Sequence, residues 1–322
     1  MTKKPVVLVT RKLPDSVETK LQQDFEVMLN PTDRLFTTDE LVQLSQNVDA
    51  ILPCHTEKFP AETIAVLSSR VKAIANFSVG VDHVDLVAAK AKNIIVTNTP
   101  DVLSDATAEI ALLLILGAAR RASEGERIMR NQQWKDWSPA FMVGKQVTGK
   151  RLGILGMGRV GQVVARRARG FDMTIHYHNR KPLEPAHTEN AIYHETIEGL
   201  LSAIDVLSIH CPASPHTQGI LNKERIAHMN PGSIVVNTSR GSVVDDDALI
   251  EALQSGHIGS AGLDVFNGEP DEIRPEYRAM ENTFLLPHIG SATQETREAM
   301  GFRSIENLIA VFNGQEPRDR VA

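Results

Sequence analysis

Cysteine is nearly absent from this chain, with only Cys54 and Cys211 among 322 residues. A disulfide framework or a cysteine-based metal site needs more cysteines at short spacings, so the sequence predicts neither, and we expect no bound metal. Positive charge is also in deficit: 34 Lys and Arg residues face 40 Asp and Glu residues, for a formal net charge of −6. Since no extended basic stripe appears, a nucleic-acid partner is not expected.

Long apolar runs are absent as well. The longest, Ile110 to Ala119, is about half the length of a membrane span and fits a buried helix better. The N-terminal apolar run is too short for a signal peptide. A hydrophobic content of 42% and a charged content of 23% are ordinary for a globular protein. We therefore expect a soluble cytoplasmic protein of about two domains, without a membrane partner.

Strand-like and helix-like segments alternate in two successive series, which is typical of parallel α/β sheets. The first series has candidate strands at Val6–Thr10, Phe25–Leu29, Ala50–Pro53, Ala73–Phe77 and Ile94–Thr97; the second begins at Leu152 and continues with Thr174–Tyr177, Val206–Ile209, Ser233–Val236, Gly259–Leu263 and Thr283–Leu286. The pattern predicts an α/β protein with two Rossmann-like domains. The first series, which has no glycine fingerprint, should form a flavodoxin-like layer without a nucleotide, and the second a six-stranded dinucleotide-binding domain.

Two helical stretches flank the second series. The first runs from about Ser104 to Gln132, and its centre is hydrophobic almost all round, which predicts burial between domains or subunits. The second, from Ala292 to Phe312, reads as one amphipathic helix. Periodicity alone does not decide which domain it completes.

A glycine fingerprint opens the second series. Gly156, Gly158 and Gly161 form G-x-G-x-x-G directly after an apolar strand and before a helix that runs from Val160 to about Arg169. The glycines permit a tight turn, close approach of backbone N–H groups to a pyrophosphate, and close helix–strand packing. The positive N-terminal end of the helix would face the phosphates. The fingerprint predicts a dinucleotide cofactor.

The next strand ends in Asn179-Arg180-Lys181, eighteen residues beyond Gly161. An NAD site normally carries an acidic residue here for the ribose 2′-OH, whereas a guanidinium can bind a 2′-phosphate through charge-assisted hydrogen bonds. We therefore expect NADP, with NADPH preferred and NAD possible.

Three chemically complementary side chains follow later strands of the same series. Ligands of open α/β sheets bind beyond the carboxyl ends of the strands, which is where Arg240, Glu269 and His288 fall. An arginine can hold a substrate carboxylate and polarise the adjacent carbonyl. A histidine can donate a proton to the carbonyl oxygen as hydride reaches carbon. A neighbouring glutamate would favour the imidazolium and so keep the histidine protonated.

These motifs, in this order, closely resemble the D-isomer-specific 2-hydroxyacid dehydrogenase family across essentially the whole chain. The motifs are Asn76-Phe-Ser-Val-Gly-Val-Asp-His-Val-Asp85, the glycine fingerprint, Asn237-Thr-Ser-Arg-Gly241, Gly262-Leu-Asp-Val-Phe266, Gly268-Glu-Pro270 and Pro287-His-Ile-Gly-Ser291. Within the family, residues 178–180 and the pair Trp134 and Trp137 look most like the NADPH-preferring glyoxylate and hydroxypyruvate reductases.

The resemblance implies specific roles. Arg240, Glu269 and His288 would be the catalytic residues, and the substrate would be bound by Arg240 and the backbone N–H groups of Val79 and Gly80. The predicted cofactor-binding residues are Thr107, Leu155, Gly156, Gly158, Arg159, Val160, Gly161, Asn179, Arg180, Lys181, Cys211, Pro212, Thr217, Thr238, Ser239, Asp264, His288 and Gly290. A substrate domain would comprise residues 1–100 and 289–322, and a Rossmann domain residues 101–288. The long helical stretch would link the domains and build a homodimer interface.

The leading prediction is NADPH-dependent reduction of glyoxylate or hydroxypyruvate to glycolate or the D-2-hydroxy acid, with His288 as proton donor. Two alternatives stay open on the sequence. One is a dehydrogenase that uses NAD with another 2-hydroxy acid or a phosphonate. The other is a non-catalytic, cofactor-sensing binding protein similar to corepressors of this fold, which can retain the same three residues.

Overall fold

The computed structural model describes residues 4–322, which contain twelve strands and thirteen α-helices. The strands are β1 Val6–Val9, β2 Glu26–Met28, β3 Ala50–Leu52, β4 Ala73–Ala75, β5 Ile95–Thr97, β6 Arg151–Leu155, β7 Thr174–His178, β8 Ile192–Tyr193, β9 Val206–Ile209, β10 Ser233–Asn237, β11 Ile258–Leu263 and β12 Thr283–Leu285. The helices are α1 Asp15–Asp24, α2 Thr38–Ser45, α3 Ala61–Val66, α4 Leu86–Ala91, α5 Ser104–Ala119, α6 Ala122–Arg130, α7 Arg159–Ala168, α8 Pro185–Thr188, α9 Ile197–Ser202, α10 Lys223–Ala227, α11 Asp246–Gln254, α12 Pro275–Ala279 and α13 Gln294–Phe312.

The chain divides into two compact units. The first unit extends to Leu103 and takes up the chain again from Ser291 to Ala322, and the second unit comprises Ser104–Gly290. Both units contain a parallel sheet, so the fold is mixed α/β as predicted. The assignment of substrate and cofactor binding to separate units stays a prediction.

The first unit is built on a five-stranded sheet in the order β2-β1-β3-β4-β5, the flavodoxin-like arrangement. All four residues of β1 are buried because both faces of the sheet are covered by helices. The long helix α13 belongs to this unit: Met300, Ile305 and Leu308 lie in the same apolar cluster as Val17 of α1. The C-terminus also adds a bridge from Arg320 to Thr97 at the edge of the sheet.

The second unit is built on a seven-stranded sheet in the order β12-β11-β10-β9-β6-β7-β8. Its strand order reverses between β6 and β9, the switch point at which dinucleotides bind in doubly wound sheets. The apolar helix α5 packs on this sheet. A Cβ atom on Gly262 of β11 would lie 2.8 Å from the Leu114 carbonyl oxygen, so the helix approaches the strand too closely for a side chain there.

The neighbouring strands of this sheet end at the same level. The register pairs the terminal residues of five adjacent strands in one row, Leu155, Ile209, Asn237, Leu263 and Leu285. The loops that follow these strands therefore start side by side along one edge.

Eleven of the twelve strands were predicted from the sequence, and the twelfth, β8, was missed. The second sheet consequently has seven strands rather than six. The predicted helical stretch over 104–132 is confirmed and consists of two helices, α5 and α6, separated at Arg121, whose φ of 56° lies in the left-handed region. No helix among residues 4–322 combines the length and apolarity needed to cross a membrane.

Candidate active site

The glycine loop follows β6 at the switch point of the second sheet. Gly156 has φ +94°, and a Cβ atom there would lie 2.5 Å from the backbone nitrogen of Cys211, so only glycine fits. Above Gly158, by contrast, an added Cβ atom would meet nothing within 4 Å. Glycine at 158 is thus not required by internal packing, and it leaves the backbone open to a ligand. Of the predicted cofactor residues, Leu155 ends β6, while Arg159, Val160 and Gly161 open α7.

The side chain of Asn179 is bound to the glycine loop. Its Oδ1 accepts a 2.7 Å hydrogen bond from the Met157 N–H, and its Nδ2 donates to the Met157 carbonyl oxygen at 3.4 Å. The Tyr193 hydroxyl donates in turn to the Asn179 carbonyl oxygen at 3.3 Å. The end of β7 is therefore fastened to the fingerprint by an uncharged side chain.

Arg180 and Lys181 follow Asn179 and are exposed. Within the described range 4–322, neither side chain forms an ion pair, so both cations are available at the end of β7. Residues 178–181 themselves carry no carboxylate that would repel a phosphate.

The loops after β9 and β10 are joined by a histidine. The His210 ring lies between the hydroxyls of Ser208 and Thr238, with N–O distances of 2.8 and 3.1 Å. Burial lowers the pKa of His210 to about 4, so this ring is neutral. The Thr217 hydroxyl donates to the Pro212 carbonyl oxygen at 2.7 Å, which closes the same loop.

The turn that carries Arg240 is shaped by Asn237. The Asn237 Oδ1 accepts from the N–H and hydroxyl of Ser239 at 3.0 and 2.9 Å, and its Nδ2 donates to the Arg240 carbonyl oxygen at 2.9 Å. A Cβ atom on Gly241 would lie 2.0 Å from the Phe266 carbonyl carbon. The Arg240 turn and the loop of Glu269 therefore press against each other.

His288 and Glu269 form a direct pair. The His288 Nδ1 and Glu269 Oε1 atoms are 2.5 Å apart, and the side chains are 28% and 23% exposed. The Glu269 Oε2 accepts from the Phe266 N–H at 2.9 Å, which fixes the carboxylate. Because Nδ1 faces Glu269, the Nε2 atom of His288 is the one that can serve a substrate.

The backbone of His288 is strained and is held by Asp264. His288 has φ +55°, a conformation that costs a non-glycine residue about 1–3 kcal/mol. The carboxylate of Asp264 accepts from the N–H groups of Ile289 and Gly290, both at 2.8 Å. Burial raises the pKa of Asp264. A Cβ atom on Gly290 would lie 3.5 Å from the hydroxyl of Thr107 on α5, so that predicted residue lies beside the same loop.

The predicted carboxylate-binding residues lie in the first unit, after β4. The Val79 carbonyl oxygen accepts from the Asn98 side chain at 2.8 Å, and the Gly80 carbonyl oxygen accepts from the Ser78 hydroxyl at 2.7 Å. Among residues 4–322, the N–H groups of Val79 and Gly80 make no hydrogen bond. The loop therefore offers two adjacent donors of the kind that bind a carboxylate.

Sequence reasoning missed two residues that build the site. Asn237 was seen only as part of a motif, and His210 only as the first residue after a strand. Both act through hydrogen bonds to loop backbone or to neighbouring side chains, which no spacing in the sequence reveals. Their position directly at or after a strand end was the one available signal.

The arrangement in the second unit defines a class of protein. It has a glycine loop at the switch point of a doubly wound sheet, and an Arg, a Glu–His pair and a buried Asp lie on the loops along the same edge. This combination is typical of a dinucleotide-dependent dehydrogenase.

Comparison with known proteins identifies the family. Residues 112–290 match the model described as D-isomer specific 2-hydroxyacid dehydrogenase, NAD binding domain. The chain is 40% identical over 319 residues to glycerate dehydrogenase of Hyphomicrobium methylovorum, covering 98% of both chains. It is 39% identical over 318 residues to glyoxylate reductase of Pyrococcus furiosus, covering 98% of this chain and 94% of that one.

A solved structure agrees over the full length. The crystal structure of an NADPH-dependent glyoxylate/hydroxypyruvate reductase from Sinorhizobium meliloti, in complex with NADP and malonate, has a TM-score of 0.88 and 33% identity, covering 99% of this chain and 97% of that chain. The present chain belongs to the D-isomer specific 2-hydroxyacid dehydrogenase family and is an NAD(P)-dependent enzyme of that family.

Proposed function

We propose that this enzyme reduces a small 2-oxo acid, glyoxylate or hydroxypyruvate, to the 2-hydroxy acid with NADPH as the hydride donor. Relatives named glyoxylate reductase and glycerate dehydrogenase support this substrate class. Hydroxypyruvate and glycerate are the oxidised and reduced partners of one such reaction, so both names are compatible with one site.

The observation that carries the proposal is the 2.5 Å pair between His288 and Glu269 on the edge that also holds the glycine loop. With Nδ1 held by the carboxylate, His288 presents Nε2–H to the substrate carbonyl oxygen. Arg240 would bind the substrate carboxylate and polarise the carbonyl, and the N–H groups of Val79 and Gly80 would bind the carboxylate as well. A reduced nicotinamide, when bound, supplies the hydride to C2. The proton from His288 completes the hydroxyl group.

The residues present fit a dinucleotide with a 2′-phosphate. The space above Gly158 permits close approach of a pyrophosphate to the N-terminus of α7. Asn179 supplies no negative charge at the end of β7, and the exposed cations Arg180 and Lys181 follow it. These features support NADPH over NADH, as does the NADP complex of the Sinorhizobium meliloti reductase.

The proton-donor role is tested with His288→Gln. We expect kcat for glyoxylate to fall about 10²–10⁴-fold, since general acid catalysis contributes on that scale. Binding of NADPH, followed by its fluorescence, should be retained. His257→Gln is the matched control, because the ring of His257 faces the Ile226 carbonyl oxygen at the opposite end of the sheet. Near-normal turnover of His288→Gln would overturn the role.

We also propose that the protein is a cytoplasmic homodimer. A group of exposed apolar side chains lies on α6 and the segment after it, including Met129, Trp134 at 52% exposure and Trp137 at 70%. Exposed aromatic clusters of this kind mark interaction surfaces. The molar mass in solution, measured by light scattering, tests the dimer, and a value equal to one chain would contradict it.

A further inference from the structure

The exposed cations Arg180 and Lys181 lie on a short segment between β7 and α8, residues 179–183, which is the cation loop. Within the described range 4–322, no backbone–backbone hydrogen bond involves this loop. A segment without such bonds opens easily, and ordering it when a ligand binds costs conformational entropy. The side chains that fasten the cation loop therefore decide how well its two cations are placed.

Two tyrosine hydroxyls bind the cation loop, one at each end. The Tyr193 hydroxyl donates to the Asn179 carbonyl oxygen at 3.3 Å. The Tyr177 hydroxyl accepts from the Leu183 N–H at 3.1 Å. Both cations lie between these two points, on the exposed middle of the loop. The backbone that carries them is thus held from both sides.

The two tyrosines form a packed pair. They are register partners in β7 and β8, and their ring centroids lie 5.3 Å apart at an interplanar angle of 51°. Tilted rings at this distance attract each other. Tyr177 is 1% exposed and belongs to an apolar cluster of the second unit against which Leu183 and Tyr193 also pack. Because packing fixes the rings, their hydroxyls are fixed points for the loop.

The strand that carries Tyr193 is also fastened independently of the tyrosine hydroxyl. The Nδ1 atom of His178 lies 2.9 Å from the His194 carbonyl oxygen, and ring nitrogens of His176 and His194 lie 2.9 Å apart. Both contacts join the residue after β8 to β7. Removal of the Tyr193 hydroxyl should therefore release the loop and leave β8 in place.

The two nicotinamide cofactors differ only in the 2′-phosphate of NADPH. In the function proposed above, Arg180 and Lys181 bind that phosphate. A cation that is already in place loses less conformational entropy on binding than one on a free loop. NADH has no 2′-phosphate, so it gains nothing from the placement of these cations. Anchoring of the cation loop should therefore affect the two cofactors unequally.

We propose that the hydroxyls of Tyr177 and Tyr193 set the preference for NADPH by fixing the cation loop. Both are positioning residues, which act through Arg180 and Lys181 and not through contact with the cofactor. This inference rests on the proposed preference for NADPH and names residues that maintain it. It also gives a function to the two-residue strand β8, which places Tyr193 beside the loop.

The test is the ratio of Kd for NADH to Kd for NADPH, measured by nicotinamide fluorescence, in Tyr193→Phe, Tyr177→Phe and the wild type. Phenylalanine keeps the ring and removes only the hydroxyl. We expect the ratio to fall about two- to tenfold in each variant, the scale of one neutral hydrogen bond, because NADPH binds more weakly. Kd for NADH should stay within about twofold of the wild-type value. Tyr193 is only half-buried, so Tyr193→Phe decides the test if Tyr177→Phe does not fold.

A second background shows whether the tyrosines act through the cations. In Arg180→Ala/Lys181→Ala, adding Tyr193→Phe should leave the Kd ratio unchanged within about twofold. Tyr277→Phe is the matched control, since the chain has three tyrosines and the Tyr277 hydroxyl donates to Asp246 at 2.8 Å, not to the cation loop. Its ratio should equal that of the wild type.

The outcomes separate this inference from the proposed function. An unchanged ratio in Tyr193→Phe, or an equal rise of Kd for both cofactors, would overturn the inference, as would a further fall of the ratio in the Arg180→Ala/Lys181→Ala background. A wild type that binds NADH as tightly as NADPH would refute the proposed cofactor preference and this inference with it. A wild type that prefers NADPH, with no change of the ratio in either tyrosine variant, would refute the inference alone.

Discussion

Replacing Glu269 by Gln tests the core of the catalytic pair with little change of shape. In the wild type, both oxygens of the carboxylate accept hydrogen bonds, one from His288 at 2.5 Å and one from the Phe266 N–H at 2.9 Å. Glutamine has one oxygen and one NH₂ group. It cannot accept from both partners, so either the histidine or the backbone N–H must face a donor.

Two energetic losses set the magnitude of the expected decrease in kcat/KM for Glu269→Gln. Exchanging a charged hydrogen bond for a neutral one removes about 1–2 kcal/mol, and one mismatched donor costs about 1–3 kcal/mol. Together they give about 2–5 kcal/mol in the protonated form of the acid. At about 1.36 kcal/mol per decade, kcat/KM for glyoxylate should fall about 30- to 5000-fold.

The assay is a double-mutant cycle of Glu269→Gln, His288→Gln and the double variant, with NADPH oxidation as the readout. If Glu269 acts through His288, the double variant should be about as slow as His288→Gln alone. Retained NADPH binding in all three shows that the fold is intact. A decrease of less than about threefold in Glu269→Gln, or full additivity in the double variant, would refute the reasoning.

Further predictions concern the cofactor and pH. Arg180→Ala should lower the ratio of kcat/KM for NADPH to that for NADH by about one to two decades, since one charge-assisted pair is lost, and an unchanged ratio contradicts the assignment. Asn179→Asp should keep the acceptor for the Met157 N–H but repel a 2′-phosphate, so it should shift the preference toward NADH while Asn179→Ala weakens binding of both cofactors. For His210, the folded pKa of about 4 lies below the ordinary 6.5. The unfolded state therefore binds the proton first as the pH falls. The contribution of the neutral His210 ring to the free energy of unfolding is fully present above pH 6.5 and is lost as the pH falls toward 4. The free energy of unfolding should be lower by about 2 kcal/mol at pH 5 for this reason. In urea unfolding, His210→Gln should remove this decrease in the free energy of unfolding between pH 7.5 and pH 5. An equal decrease in the wild type and in the variant would contradict the prediction.

The strands were predictable because each is a short apolar run between polar, helix-compatible segments. The one that was missed, β8, consists of Ile192 and Tyr193 alone, and two residues carry no periodicity. The break between α5 and α6 was missed for a different reason. It contains no glycine or proline; instead, Arg121 adopts a left-handed conformation, and its side chain binds Glu124 at 2.7 Å.

The candidate site was predictable in its chemistry but not in its supports. Arg240, Glu269 and His288 could be placed on one edge because parallel strands end together. The strained backbone of His288 and its two anchoring bonds to Asp264 depend on how two loops meet in space. The same holds for Asn179: its sequence position predicts cofactor contact, but the hydrogen bond of its side chain to the glycine loop could not be predicted. A polar residue that binds backbone leaves no pattern along the chain.

The most direct test of the proposed function is a panel of kcat/KM values for the purified wild-type enzyme with glyoxylate, hydroxypyruvate and pyruvate, each measured with NADPH and with NADH. We predict rapid oxidation of NADPH with hydroxypyruvate and glyoxylate, slower reaction with pyruvate, and a clear preference for NADPH over NADH with every acid. Absence of turnover with all three acids, or equal use of both cofactors, would contradict the proposed function.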